Sequence, residues 1–503
     1  MSTPWRLWRG ALLLAMAALG ALYAAVALRF FAFPYGDLGW AIDHVVWNAW
    51  QLARGEAVYT DPALGDAGAF MYTPGFTLLV WPLVALFGPQ LWTARLVNLL
   101  GAALLVTLVT RETARRVRDR RLLLFAPGLV FLLGAANFSS LIVVHPEVWA
   151  VVFALLALGA ARRVIEGRAA ALPAVLWTCA AVATKQTMLV HVLAIVVALA
   201  AARRTRAAAA YLLGVALLLG AGALLGQWLT GGWFLRYALL GAHHAMQWPE
   251  LPRVAEFVAR QFLPYLIVVA AGIAAGGWSG AAAGGEPRRT TLSDLLRDPW
   301  LVAFALSLPL QPIVMLKRGN MPNHLLGVSL LLVPLVLQAV VALLPALRAR
   351  PGVAKALAAL VLLWTAFRLV DDSPPLWRNL AQHESRLAVM RRLETLVREA
   401  DGPVWVPMGI SLAYRNGAPV VAPALILAEF LPVMPEVIEP ILARLDRAEF
   451  QTILLPNRGS FFSLLPDSEF EPRFRAHYRP VEVVGGETLM GTITPVTVLE
   501  RKD

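Results

Sequence analysis

Long apolar runs separated by short, arginine-rich turns set the pattern of this chain. The runs cover Ala11–Phe33, Leu91–Thr110, Leu122–Phe138, Val148–Ala161, Leu172–Ala183, Met188–Ala202, Tyr211–Leu229, Phe257–Ala275, Trp300–Leu316, Leu325–Leu347 and Ala356–Val370. A bilayer core is crossed by about 20 apolar residues in a helix, and the longer of these runs reach that length. The pattern predicts a mainly α polytopic membrane protein with about eleven transmembrane helices. The first run is too long for a signal-peptide core and has no small-residue cleavage site after it, so it reads as a retained span. Pro74–Gly88 is apolar but short, which suits an interfacial or re-entrant segment.

Between the first run and Pro74 lies a long polar loop, and loops of that length tend to carry function. From Leu38 to Arg54 its apolar residues Ile42, Val45, Val46, Ala49 and Leu52 fall at helical spacing. Asp43, His44, Trp47, Asn48 and Gln51 fall largely opposite, and Gly55 suits a helix end. With Trp40, Trp47 and Trp50 on it, such a helix lies in the membrane interface instead of crossing.

Beyond Asp371 the pattern changes: charges become frequent and long apolar runs stop. Asn379–Ala400 and Glu436–Arg447 read as helices. The stretches PVWVP, APVVAP, FQTILLP and YRPVEVVG read as short strands bounded by Pro and Gly. The expected organisation is a transmembrane domain over residues 1–370 and a small C-terminal α/β domain over residues 371–503.

Composition sharpens this picture. The chain has 503 residues, 59% of them hydrophobic and 15% charged, far more apolar than a soluble domain. Its formal charge of +12 comes mostly from arginines beside apolar runs, the positive-inside signature and not a nucleic-acid footprint. The densest cluster, RETARRVRDRR after Thr110, is expected to be cytoplasmic. Those at Arg162, Arg163 and Arg168 and at Arg203, Arg204 and Arg206 fall on the same side. This puts the N-terminus inside and the C-terminal domain outside. The lone Cys179 excludes an intramolecular disulfide and a cysteine zinc cluster.

With that sidedness, the outer turns carry the candidate chemistry: Asp37 and Asp43, then His145-Pro146-Glu147, then Lys185, then Lys317, Arg318, Asn320, Asn323 and His324. Each has a plainer reading as well. Glu147 can be a carboxylate favoured by a helix N-terminus. Lys185, the only lysine before Lys317, can be snorkelling from a segment end. KRGNMPNH can be an interfacial turn. His243-His244 could ligate metal, but without nearby carboxylates the pair reads as polar loop. No P-loop glycine pattern is present.

Gly36-Asp37, then Asn48-Ala49-Trp50-x-Leu52-x-x-Gly55-x-x-x-Tyr59-x-Asp61, then Tyr72-x-Pro74-Gly75-Phe76 resembles the first external loop of GT-C glycosyltransferases. These integral membrane enzymes use polyprenyl-phosphate sugars; the resemblance extends to aminoarabinose transferases and protein mannosyltransferases. It implies a GT-C fold in the bacterial plasma membrane. The activity implied is inverting transfer of a monosaccharide from a polyprenyl-phosphate donor to a lipid, glycan or protein acceptor. Asp37 matches the family's catalytic base. Leu38 stands where the family often has a second acid. The resemblance implies catalytic roles for Glu147 and Asp43, donor-phosphate contacts from Lys185, Lys317 and Arg318, and cavity or acceptor contacts from Tyr72, His145, Asn323 and His324. Such a reaction needs a base for the acceptor hydroxyl and cations for the departing phosphate. It names no cofactor and leaves a divalent metal open. The rival class is a transporter or lipid flippase, which predicts internal symmetry and midplane charges; the chain has no repeat and its charges lie at one surface.

Overall fold

The computed structural model describes residues 3–36, 41–64, 72–117, 119–134, 141–142, 144–243, 245–275, 278, 290–317, 322–349, 352, 360, 363–368, 370–371, 377, 380–456, 461–462, 464–485 and 495–502. The expected helix at Ala356–Val370 falls largely outside them. The chain divides into two compact units, each assembled from three separate stretches.

The first unit comprises Met1–Ala27, Asn98–Gly220 and Ala245–Trp377 and is helical. Among the described residues of the whole chain, six helices are long and apolar enough to cross a membrane: Gly10–Ala32, Leu91–Arg116, Glu147–Ile165, Thr205–Leu229, Trp248–Ala274 and Asn323–Pro345. Four apolar helices are shorter: Gly75–Phe87, Leu172–Thr184, Gln186–Ala201 and Pro299–Met315. Several expected crossings are thus short helices, and the expected run Leu122–Phe138 is interrupted. It is built as Arg120–Leu123, capped by Asp119, followed by Phe125–Gly134.

Helix Leu326–Ala349 is central to this unit; the apolar window over Asn323–Pro345 is 83% buried, against 17% for Thr205–Leu229, whose leucines remain for lipid. Gly272 lets Leu251–Ala274 approach it, because a Cβ there would lie 2.5 Å from the Cβ of Ala339. Helix Glu147–Ile165 turns back into Leu172–Thr184 through a glycine end motif. Gly167 adopts φ 74° and Arg168 N–H donates to the Arg163 carbonyl.

A buried ionic knot ties four helices. Arg116 makes a bidentate contact with Asp298 at 2.6 and 2.8 Å, and donates to Glu112 at 2.7 Å and to Gln338 at 2.7 Å. Arg162 pairs with Glu112 and Asp298. Asp298 also caps helix Pro299–Met315. Two guanidinium groups facing two carboxylates leave no uncompensated charge here, which burial demands.

The second unit comprises Leu28–Val97, Ala221–His244 and Arg378–Asp503. It holds a four-stranded sheet of β1 (Val404–Trp405), β2 (Thr452–Leu455), β3 (Tyr478–Val484) and β4 (Val496–Arg501) in the order β1-β2-β4-β3. β1 is parallel to β2, and the other pairs are antiparallel. Val496–Arg501 and helix Asp467–His477 were not marked by the hydrophobic pattern. APVVAP forms no strand, since its prolines cannot donate to a ladder. Trp405 packs against Phe450, Phe461, Phe470 and Phe474.

Two cores bind the first loop to the C-terminal stretch. One gathers Val58 and Tyr59 of the loop with Tyr237, Leu240, Phe430 and Leu442. The other gathers Phe33 and Tyr35 with Val389, Leu393, Val404 and Val498. The aromatic stretch at Trp233, which reads as a loop, is helix Trp233–His243. Thr230 Oγ1 and Gln227 Oε1 accept from the first free amides of this helix, at 2.9 and 3.0 Å, and Tyr237 and Leu240 turn one face into the core.

Candidate functional site

Three helix junctions of the first unit converge on Glu147. It opens helix Glu147–Ile165, where a carboxylate is favoured by the exposed amides of the first turn. Lys185 sits where helix Leu172–Thr184 stops: its backbone is extended (φ −155°, ψ 124°), and a single 3-10 turn, Gln186–Met188, restarts the chain. That break directs the ammonium inward. Asn323 and His324 lie on the 3-10 turn Pro322–Leu325 that leads into Leu326–Ala349.

One oxygen of Glu147, Oε1, accepts from both Lys185 Nζ and Asn323 Nδ2. The other, Oε2, is 3.7 Å from His145 Nδ1 and accepts no hydrogen bond among the described residues. Asn323 Oδ1 in turn accepts the His324 N–H at 3.1 Å. Both Glu147 and Lys185 are 1% exposed, and His145, Asn323 and His324 are buried with them. Burial holds the His145 imidazole below its ordinary pKa, so at neutral pH it is uncharged. The cluster thus contains one cation, one anion and a set of polar groups able to accept or donate. Five of the sequence candidates meet here, and the sequence did not foretell that Lys185 and Glu147 form a pair.

Lys317 is near the end of Pro299–Met315, and its backbone forms an isolated bridge with Met246, supported by Gln247 N–H to the Leu316 carbonyl at 2.6 Å. Asp37, Arg318, Asn320 and His244 lie outside the described residues. Among the described residues, no group of three or more His, Cys, Asp or Glu converges as a metal site.

In the second unit, Asp43 lies on helix Ala41–Ala53 and is fully buried. Its Oδ2 accepts from Ser411 N–H at 3.1 Å and from Ser411 Oγ at 2.7 Å. Burial pushes this carboxyl up, while the Ser411 hydrogen bonds and the Arg95 and Arg415 charges pull it back. The adjacent His44 is lowered to about 4 by burial. Oδ1 of Asp43 faces Gly36 so closely that a Cβ there would stand 1.8 Å away. The carbonyls of the turn before Asp37 are also held. Arg95 donates to those of Phe33 and Tyr35, and Arg415 to that of Pro34. Tyr35 itself donates its hydroxyl to Glu394 at 2.6 Å. Elsewhere in this unit the Tyr72 carbonyl accepts from the Tyr59 hydroxyl at 2.8 Å.

Arg95, Glu394, Ser411 and Arg415 were not singled out in the sequence. Arg95 carried a signal: an arginine within an apolar run needs a buried partner. Ser411 and Arg415 carried none, since serine and arginine in a polar tail are ordinary.

No protein-family model matches the chain, and no curated protein sequence matches it. Solved structures do. ArnT from Cupriavidus metallidurans, in a crystal structure bound to undecaprenyl phosphate, superposes with a TM-score of 0.57 at 14% identity, covering 96% of this chain and 97% of that one. ArnT from Cupriavidus metallidurans in the apo state superposes with a TM-score of 0.51 at the same identity and coverage. With six long apolar helices among its described residues, the chain is an integral membrane protein that shares the fold of ArnT.

Proposed function

We propose that the protein is an inverting glycosyltransferase that moves a monosaccharide from a polyprenyl-phosphate donor to a lipid, glycan or protein acceptor. The observation that carries this reading is the likeness, along nearly the whole of both chains, to a structure bound to undecaprenyl phosphate. The buried Lys185, paired with Glu147 beside Asn323 and His324, supports it, because a lipid phosphate needs a cation held in a low-dielectric site.

In the proposed reaction the acceptor hydroxyl loses its proton to Asp37 and its oxygen bonds the anomeric carbon. The bond from that carbon to the phosphate oxygen breaks, and polyprenyl phosphate leaves with the electron pair. Lys185 and Asn323 take the phosphate oxygens as charge grows there, with His324 beside them. Glu147 orients Lys185 and balances its charge when no phosphate is bound. Lys317 and Arg318 add positive charge on the same outer turn, and Tyr72 and His145 contribute cavity contacts.

The active face is proposed to be extracytoplasmic, at the bacterial plasma membrane. In a Cys179→Ala background, Asp401→Cys is expected to react with a membrane-impermeant maleimide on intact cells, and Arg120→Cys only after permeabilisation. The activity itself is tested by transfer from a panel of polyprenyl-phosphate sugars in purified membranes, alongside stabilisation of the purified protein by undecaprenyl phosphate. Transfer from at least one donor is expected. Absence of both transfer and stabilisation would overturn the reading.

A further inference from the structure

The turn Phe33–Gly36 is gripped from three directions by groups of the same unit. Three successive backbone carbonyls, at Phe33, Pro34 and Tyr35, each accept from a guanidinium. Arg95, 1% exposed and stacked 4.4 Å from the Phe30 ring centroid, serves two of them. Arg415, from the C-terminal stretch, serves the third. The fourth residue, Gly36, rests on the Asp43 carboxylate, and that carboxylate is fixed by Ser411, 368 positions further along the chain. The Tyr35 side chain is tied to Glu394, also in the C-terminal stretch.

This density of contacts is unusual for a turn that merely leaves a membrane span. Water would satisfy three carbonyls at no structural cost. Here the chain instead commits a buried and a half-buried arginine to them, and sets a fully buried aspartate against Gly36. Oδ2 of Asp43 accepts twice from Ser411, while Oδ1, buried and without a hydrogen-bond partner among the described residues, faces Gly36. The residue that follows this turn in the chain is Asp37.

We propose that the C-terminal stretch is the positioning frame of the turn Phe33–Gly36, which precedes Asp37 in the chain, with Asp43, Ser411, Arg415 and Arg95 as positioning residues that act through the backbone of residues 33–36. The C-terminal stretch then belongs to the transfer machinery and is not a separate binding module. This proposal rests on the glycosyltransferase reading for its catalytic consequence, while the mechanical claim stands by itself.

The test pairs two measurements on the full-length protein. Hydrogen–deuterium exchange without any substrate follows peptides covering residues 33–40, and transfer kinetics follow kcat and KM for the donor. Ser411→Ala and Arg415→Met are expected to speed exchange in those peptides while the Trp405 core peptides stay protected. Both are expected to lower kcat on the order of 10- to 100-fold, the scale for a misplaced reacting group, with donor KM within about twofold. Ser411→Thr keeps the hydroxyl and the amide and is expected to restore both values. Asp37→Asn is expected to leave exchange unchanged.

Unchanged exchange over residues 33–40 in both variants overturns the frame, as does faster exchange spread through the whole second unit. Normal kcat with locally faster exchange overturns the catalytic consequence. Should wild-type protein transfer no sugar from any donor, the glycosyltransferase reading falls. Exchange then decides the mechanical claim alone.

Discussion

Lys185 and Glu147 stand 38 positions apart and form an ion pair that is closed off from water. The pair shares its acceptor oxygen with Asn323. Removing one charge leaves the other buried and unbalanced, which costs roughly 3–5 kcal/mol, whereas removing both can be nearly neutral. Lys185→Met and Glu147→Gln alone are each expected to lower the unfolding temperature in detergent sharply. The double variant is expected to regain most of the loss, since the amide oxygen of a glutamine in place of Glu147 still accepts from Asn323. Additive losses in the double variant would show that the two charges do not depend on each other.

The pair also bears on ligand binding. Stabilisation by undecaprenyl phosphate is expected in wild type and not in the double variant, because the replaced lysine leaves no cation in the cluster.

Much of this architecture is written in the hydrophobic pattern. The break between Leu172–Thr184 and Leu189–Ala201 sits at Lys185, where two short apolar runs bracket Thr-Lys-Gln. The helices Ala41–Ala53 and Gly75–Phe87 follow from spacing and length in the same way. The positions of Glu147, Lys185, Asn323 and His324 at turns between apolar runs were legible because ionisable or amide groups are costly within such runs. Their convergence was not legible, since it depends on how three helix ends meet and no periodicity encodes that. The Ser411–Asp43 contact was hidden for a related reason. An amphipathic reading places Asp43 on the polar face of its helix, and polar faces usually meet water. Here that face meets the C-terminal stretch, so Asp43 is buried against Ser411. The ionic knot on Arg116 was masked by the positive-inside rule, which explains arginine clusters so well that a paired one among them passes unnoticed.

Gly272 gives a packing prediction. A methyl at this position would meet the Ala339 Cβ at 2.5 Å and its backbone Cα at 2.6 Å. Backbone cannot yield as a side-chain tip can, so Gly272→Ala must separate two helices of the first unit. Overpacking of this kind costs typically about 1–3 kcal/mol. A lowered unfolding temperature is expected, with Gly220→Ala, which meets nothing within 4 Å, as a neutral control. Equal stability of the two variants would refute the close approach.

His44 makes stability depend on pH. Its folded pKa is lowered to about 4 from 6.5 by burial. Between those values the unfolded chain binds a proton that the folded chain does not, so stability rises with pH across that window. The contribution is complete above the unfolded value and is lost as pH falls toward 4. It amounts to a few kcal/mol at most, on the scale of about 1.4 kcal/mol per pKa unit. Asp43 works in the opposite sense, because its raised pKa favours the folded state on acidification. The two are separated by comparing wild type with His44→Gln: the difference in unfolding temperature is expected to shift steadily between pH 6.5 and about 4. A constant difference would mean that His44 does not titrate differently in the two states.

Ordinary aspartate ionises near pH ~4, so a carboxylate at position 37 is ready to accept a proton at neutral pH without further tuning. A positioned general base contributes roughly 10²–10⁴-fold to rate. Asp37→Asn keeps the shape and removes the basicity, so transfer is expected to fall by about that factor while stabilisation by undecaprenyl phosphate persists. Asp43→Asn can still accept from Ser411 through its remaining oxygen and is expected to lose far less. The comparison discriminates among the carboxylates. If Asp43→Asn or Glu147→Gln abolished transfer while Asp37→Asn turned over normally, the base would be one of the buried acids, and the turn at Phe33–Gly36 would have no catalytic group to hold.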